Sequence, residues 1–107
     1  MYFFQDLATN LKKKRDRVFI NCIRGKNVEM LFIKLEPGES TFHSHSNEQM
    51  GYILSGEAEI SIDGEIQICR AGDGYYIPCN VQHGFKVLNN NCLEYIEVFS
   101  PPKDENR

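Results

Sequence analysis

The chain has 107 residues, about one domain's worth, of which 41% are apolar and 25% charged, a globular composition rather than a disordered or fibrous one. Its formal charge of -3 and pI near 5.6 argue against a nucleic-acid or anionic-membrane footprint, which is normally basic. The longest apolar runs fall far short of the roughly 20 residues that cross a bilayer, and no basic leader with an apolar segment opens the chain. A cytoplasmic protein with neither nucleic acid nor membrane as partner is therefore expected. The four cysteines (Cys22, Cys69, Cys79 and Cys92) form no Cys-x-x-Cys pair and are expected to be free, mostly buried thiols.

In chain order, residues 1–17 hold the only stretch compatible with a helical turn and read as an arm packing on a single domain of residues 18–107. Five of the twelve basic residues crowd into Lys12-Lys13-Lys14-Arg15-Asp16-Arg17. One short run in a net acidic chain reads as a solvated segment rather than as a site for an anionic partner. From Val18 onward the pattern is strand after strand: 18–23, then 28–35 running into the Glu36-Pro37-Gly38 turn, then 50–54 and 58–62 on either side of Ser55-Gly56. Asp63-Gly64, set between Glu59-Ile60-Ser61-Ile62 and Glu65-Ile66-Gln67-Ile68, is the strongest hairpin signal. Strands at 75–77 and 93–99 end at Pro78 and at Ser100-Pro101-Pro102. Gly or Pro punctuation about every 8 to 12 residues, with no long 3.6-period segment, predicts an all-β sandwich or small barrel. That class closes around an interior able to hold one small ligand.

The chain's three histidines are His43, His45 and His83. On an extended segment His43 and His45 project from the same face, an economical way to offer two imidazole nitrogens to one ion. An isolated His-x-His in a β protein is more often structural. The punctuation around this one shifts the reading: Gly38-x4-His43-x-His45-x3-Gln49-x6-Gly56, then Gly72-x5-Pro78-x-Asn80-x2-His83. These two stretches resemble the paired motifs of the cupin superfamily, Gly-x5-His-x-His-x(3,4)-Glu-x6-Gly and Gly-x5-Pro-x-Gly-x2-His-x3-Asn. The resemblance implies a double-stranded β-helix, or jelly-roll, barrel preceded by a short irregular or helical segment. It also implies one divalent metal held by His43, His45, Gln49 and His83.

Three departures from the pattern bear on that reading. Gln49 stands at the acidic ligand position with Glu48 beside it, and strand alternation lets only one of the two face inward. The spacing to Gly56 favours Gln49. Asn80 replaces a glycine, a mild change because Asn accepts left-handed backbone. Val87 stands where the motif ends in Asn. Three imidazoles and an amide oxygen suit Zn²⁺, Ni²⁺, Co²⁺, Mn²⁺ or Fe²⁺, and a neutral shell leaves the ion its full charge for Lewis-acid work.

The run His43-Ser44-His45-Ser46-Asn47-Glu48-Gln49 is similar to that of small pectin-degradation cupins of the KdgF-like type. Those proteins bind a metal through His, His, Gln and His and convert unsaturated uronates to linear keto forms. Their last strand carries Asp-x-Phe-Ser-Pro-x-Arg, and the matching stretch here runs from Glu97 through Phe99 to Lys103. The likeness implies catalytic roles for Glu97 and Lys103, although lysine lacks arginine's bidentate fork for a carboxylate. Phe99, Tyr52, Tyr75 and Tyr76 read as core or interface packing. Three functions follow as expectations: a non-redox metal enzyme of isomerase, lyase or cyclase type on a small oxygenated molecule such as a sugar acid; a non-catalytic metal- or ligand-binding or sensory barrel; or an iron dioxygenase. A homodimer is expected, because a short barrel must cover its open strand edges.

Overall fold

The strand-and-turn alternation closes into two antiparallel sheets in the computed structural model, which describes residues 2–103. Ten strands follow in order: β1 (Lys12–Arg15), β2 (Val18–Arg24), β3 (Glu29–Leu35), β4 (Ser40–His43), β5 (Glu48–Ser55), β6 (Glu57–Ile62), β7 (Glu65–Arg70), β8 (Gly74–Ile77), β9 (His83–Val87) and β10 (Leu93–Ser100). The larger sheet runs β1-β2-β3-β10-β5-β8 and the smaller β4-β9-β6-β7. The chain switches between sheets along its length, so the two interlock as a jelly roll. Among the described residues there is no helix; the N-terminal segment has one turn, closed where the Asn10 N–H donates to the Asp6 carbonyl at 3.0 Å.

Period-two alternation builds the interior. In β3, Leu31, Ile33 and Leu35 point in while Met30 is exposed. In β10, Leu93, Tyr95, Glu97 and Phe99 point in. Ala58 and Ile60 from β6, with Phe85 and Val87 from β9, meet them from the smaller sheet. Each large aliphatic side chain removed from water in this way contributes roughly 1.5–3 kcal/mol before entropy is counted. The β6–β7 hairpin turns on Asp63 (φ 51°) and Gly64 (φ 84°), the paired left-handed conformations that a two-residue type I′ turn requires.

Three strands have no counterpart in the sequence pattern. β1 is one of them: the basic run pairs with β2, Lys12 opposite Ile20 and Lys13 opposite Phe19. The run is exposed along its length, as a solvated segment is, but it is a strand rather than a linker. Consecutive cations carry no apolar alternation, and only the unpaired backbone edge of β2 makes the segment extend. β4 and β9 are short and polar at their ends, and they pair with one another, Ser40 opposite Lys86 through His43 opposite His83. All four cysteines are free; Cys79 is exposed and the other three are half-buried.

Candidate metal centre and its cavity

β4 ends at His43 and β9 begins at His83, and the antiparallel register sets these two residues side by side. His45 lies two residues beyond, in the loop leaving β4, where its carbonyl accepts the Asn80 N–H at 2.8 Å. Asn80 makes that bond from a left-handed conformation, φ 64°. The three rings stand with centroids 4.6 to 5.4 Å apart, and their nearest ring nitrogens fall within 4.8 Å of one another. Gln49 enters from the other sheet. It is buried on the inner face of β5 beside Phe99, whereas Glu48 faces outward and accepts the Tyr76 hydroxyl at 2.6 Å. Strand parity therefore places Gln49, not Glu48, towards the histidines.

The polarity of this cluster is one-sided. His83 Nδ1 lies 2.9 Å from the Val81 carbonyl. A carbonyl can only accept, so the proton sits on Nδ1 and Nε2 offers a lone pair. His83 Nε2, both ring nitrogens of His45 and Gln49 Oε1 are buried with no hydrogen-bond partner among the described residues. Buried polar atoms left unpaired cost about 1–3 kcal/mol each, and here they belong to groups that ligate cations. Burial, helped by the charges of Lys103 and the neighbouring imidazoles, pushes His45 down to about 4; burial also lowers His83. Both rings are thus neutral at pH 7, the form that binds a metal. The donor set fits a borderline divalent ion.

Beside the histidines lies a cavity of about 290 Å³, whose lining includes Gln49, Glu97, Phe99 and Lys103 as well as Lys14 and Arg15, the last ion-paired with the buried Glu39 at 2.7 Å. Glu97 is buried on β10, and burial pushes its carboxyl up to about 7 against the opposing effect of two hydrogen bonds. Those bonds come from Gln49 Nε2 at 2.8 Å and the Tyr75 hydroxyl at 2.6 Å, both to Oε2. Lys103 is held by its backbone rather than trailing as a mobile tail. Its N–H donates to Glu29 Oε1 at 3.1 Å, and its carbonyl accepts Arg24 Nη1 at 2.8 Å. Its ammonium sits 5.0 Å from the centre of the Phe99 ring, within cation–π range. A shallower groove bounded by His43, His45, Asn47 and Lys103 continues the cavity outward.

Residues 31–99 match the family model described as Cupin domain, Cupin_2, which is well over half of the chain. The chain belongs to the cupin domain family. Among curated proteins this cupin is similar to the pectin degradation protein KdgF of Dickeya dadantii, 34% identical over 64 residues that span 59% of this chain and 57% of that protein. The aligned region thus covers little more than half the length of that relative. Among solved structures it superposes on KdgF from a Halomonas species with a TM-score of 0.88 at 23% identity, covering 98% of this chain and 97% of the other. An RmlC-like cupin from Shewanella frigidimarina gives a TM-score of 0.90 at 22% identity over 100% and 96% of the two chains. Both structural likenesses establish the jelly-roll fold of this cupin.

Five residues around the site lie outside the pattern the motifs supply: Lys14, Arg15, Arg24, Glu29 and Tyr75. Lys14 and Arg15 carried a signal as part of a basic run, but its placement on the cavity wall depends on the β1–β2 pairing. Tyr75 read as packing and instead donates to Glu97. No local spacing announces that bond, because the partners are 22 residues apart.

Proposed function

We propose that this cupin is a metal-dependent, non-redox enzyme of isomerase, lyase or cyclase type that acts on a small anionic oxygenated molecule such as a sugar acid. One observation carries the reading. A buried carboxyl with a pKa near 7, Glu97, shares one cavity with the neutral imidazole and amide cluster and with the ammonium groups of Lys14 and Lys103. His43, His45, Gln49 and His83 are the residues that would hold the ion. A bound divalent ion supplies Lewis-acid polarisation of a substrate carbonyl or hydroxyl oxygen. Glu97 both takes and returns a proton at neutral pH, as general acid–base work requires. Lys103, fixed over Phe99, and Lys14, also on the lining, attract a carboxylate into the cavity and set which end of the molecule faces Glu97; Arg15 is engaged by the buried Glu39. The resemblance to pectin-degradation cupins supports an unsaturated uronate as the first substrate to try. The reading further places the enzyme in the cytoplasm as a homodimer.

Elemental mass spectrometry on untagged protein, together with an assay on unsaturated uronates, tests this reading. The expected result is near-stoichiometric Zn, Ni, Co or Mn that falls in Gln49→Ala. Glu97→Gln should keep most of the metal and lose roughly 10²- to 10⁴-fold in kcat. Iron accompanied by O₂ consumption would replace this reading with a dioxygenase. Tight ligand retention without product would replace it with a binding barrel.

A further inference from the structure

The inner face of the larger sheet contains one row in which only Glu97 was singled out by a motif. Across it, Leu31 of β3, Glu97 of β10, Gly51 of β5 and Tyr75 of β8 stand in register. Tyr75 and Glu97 are separated by the whole of β5, about 10 Å at two strand spacings, yet the phenol oxygen lies 2.6 Å from Glu97 Oε2. The ring bridges that gap by lying flat over Gly51. A Cβ built at position 51 would stand 2.0 Å from the Tyr75 Cζ and 2.1 Å from its hydroxyl oxygen, so the missing side chain is what opens the path. Gly51 has no left-handed backbone to explain its presence; the explanation is the close approach.

The bond at the end of this row bears on the amide of Gln49. Glu97 Oε2 accepts from both the Tyr75 hydroxyl and Gln49 Nε2. Two donors on one oxygen make that oxygen an acceptor whether or not Oε1 carries a proton. Gln49 must then turn its nitrogen to Glu97, which leaves Oε1 on the other side of the amide, buried and without a hydrogen-bond partner like the lone-pair nitrogens of His45 and His83. A flipped amide would put an N–H where that oxygen lies, and an N–H could not ligate a cation. Tyr75 stays a donor throughout, since burial and the neighbouring carboxyl raise its pKa well above the usual phenol value, and its ring is braced edge-on against Phe85 at 5.3 Å.

We propose that Tyr75, cradled by Gly51, is a positioning residue that holds Glu97 and, through it, locks the Gln49 amide with its oxygen towards the three histidines. This inference rests on the reading of those four residues as a metal site. The test uses the purified full chain stripped of metal and titrated with Co²⁺, read by visible absorption. Tyr75→Phe removes one oxygen and should weaken Co²⁺ about 5- to 10-fold, the loss of one hydrogen bond in the support of a ligand, and should alter the ligand-field bands. Glu97→Leu should weaken Co²⁺ also, and adding Tyr75→Phe to it should cost nothing further, because the tyrosine acts only through Glu97. Gly51→Ala, which keeps the hydroxyl and displaces the ring, should weaken Co²⁺ at least as much as Tyr75→Phe; wild-type affinity in it overturns the proposal. So does wild-type affinity and spectrum in Tyr75→Phe, or an undiminished tyrosine effect in the Glu97→Leu background. A wild-type chain that takes up no Co²⁺ overturns the metal-site reading itself, and this inference with it.

Discussion

Glu97 and His45 are titrated by the same burial in opposite directions. Glu97 is raised from an ordinary 4.5 to about 7, so between those values the folded chain keeps a proton that the unfolded chain has lost. Stability of the metal-free protein therefore falls as pH climbs through that window and levels off above it. His45 is lowered from 6.5 to about 4. There the unfolded chain holds the extra proton, so this contribution is lost as pH falls. A difference measurement separates the two. Urea unfolding of metal-free Glu97→Gln against wild type should show the variant's relative stability growing from pH 4.5 to 7 by up to about 3 kcal/mol and then holding constant. A gap that ignores pH over that range would mean Glu97 is not buried as described. The residue types at 43, 45, 49, 83 and 97 were legible because each stands in a spaced motif. Their protonation was not, because it depends on which atoms surround them.

Strands and the strap that follows the last one set the shape of the cavity. After β10 the chain crosses the mouth of the barrel, tied by the Ser100 hydroxyl to the Asn27 carbonyl at 2.8 Å and by Asn47 Nδ2 to the Pro101 carbonyl at 2.5 Å. Arg24 and the fully buried Glu29 then grip the backbone of Lys103 from both sides. Truncating Arg24 takes the counter-charge from a carboxylate with no exposed surface, a change that typically costs about 3–5 kcal/mol. Arg24→Met should lose about that much in urea unfolding and also raise the KM for an anionic substrate, since Lys103 loses its anchor. Lys103→Ala keeps the backbone clamp, so it should raise KM while shifting stability by no more than roughly 0.5 kcal/mol. Equal destabilisation by both variants would show that the strap is held by the lysine side chain instead. Turn chemistry made Asp63-Gly64 and Ser100-Pro101-Pro102 readable as strand ends. β1 was not readable, because a polar edge strand takes its conformation from the neighbour it pairs with.

On the scale of the whole molecule, the outer face of the larger sheet is apolar across four strands. Met30, Val98, Met50 and Tyr76 form one in-register row, and Phe32, Ile96 and Tyr52 form the next. Met50 and Tyr52 are about half exposed at 56% and 50%, and a contiguous apolar face on a small domain is the kind of surface that interfaces use. A second copy meeting the same face across a two-fold axis would cover it symmetrically, and a standard interface needs about 800 Å² from each partner. Light scattering on wild-type protein should give twice the chain mass of 12.4 kDa. Tyr52→Lys should shift it towards the monomer without changing Co²⁺ binding, since Tyr52 faces away from the histidines. A monomeric wild type at micromolar concentration would leave this face to another partner.

By itself the sequence determined the class and a candidate site: alternation and turn residues specify an all-β sandwich or small barrel, and the resemblance to the cupin motifs implies its jelly-roll form and singles out four positions. These are local properties, set by period-two geometry and by residue type. Only the tertiary structure decided that Glu97 bonds the Gln49 amide, that Lys14 and Arg15 line the cavity, and that Tyr75 reaches Glu97 over Gly51. Each of those depends on which strands become neighbours across long stretches of chain, and that pairing is settled by the burial of the whole core.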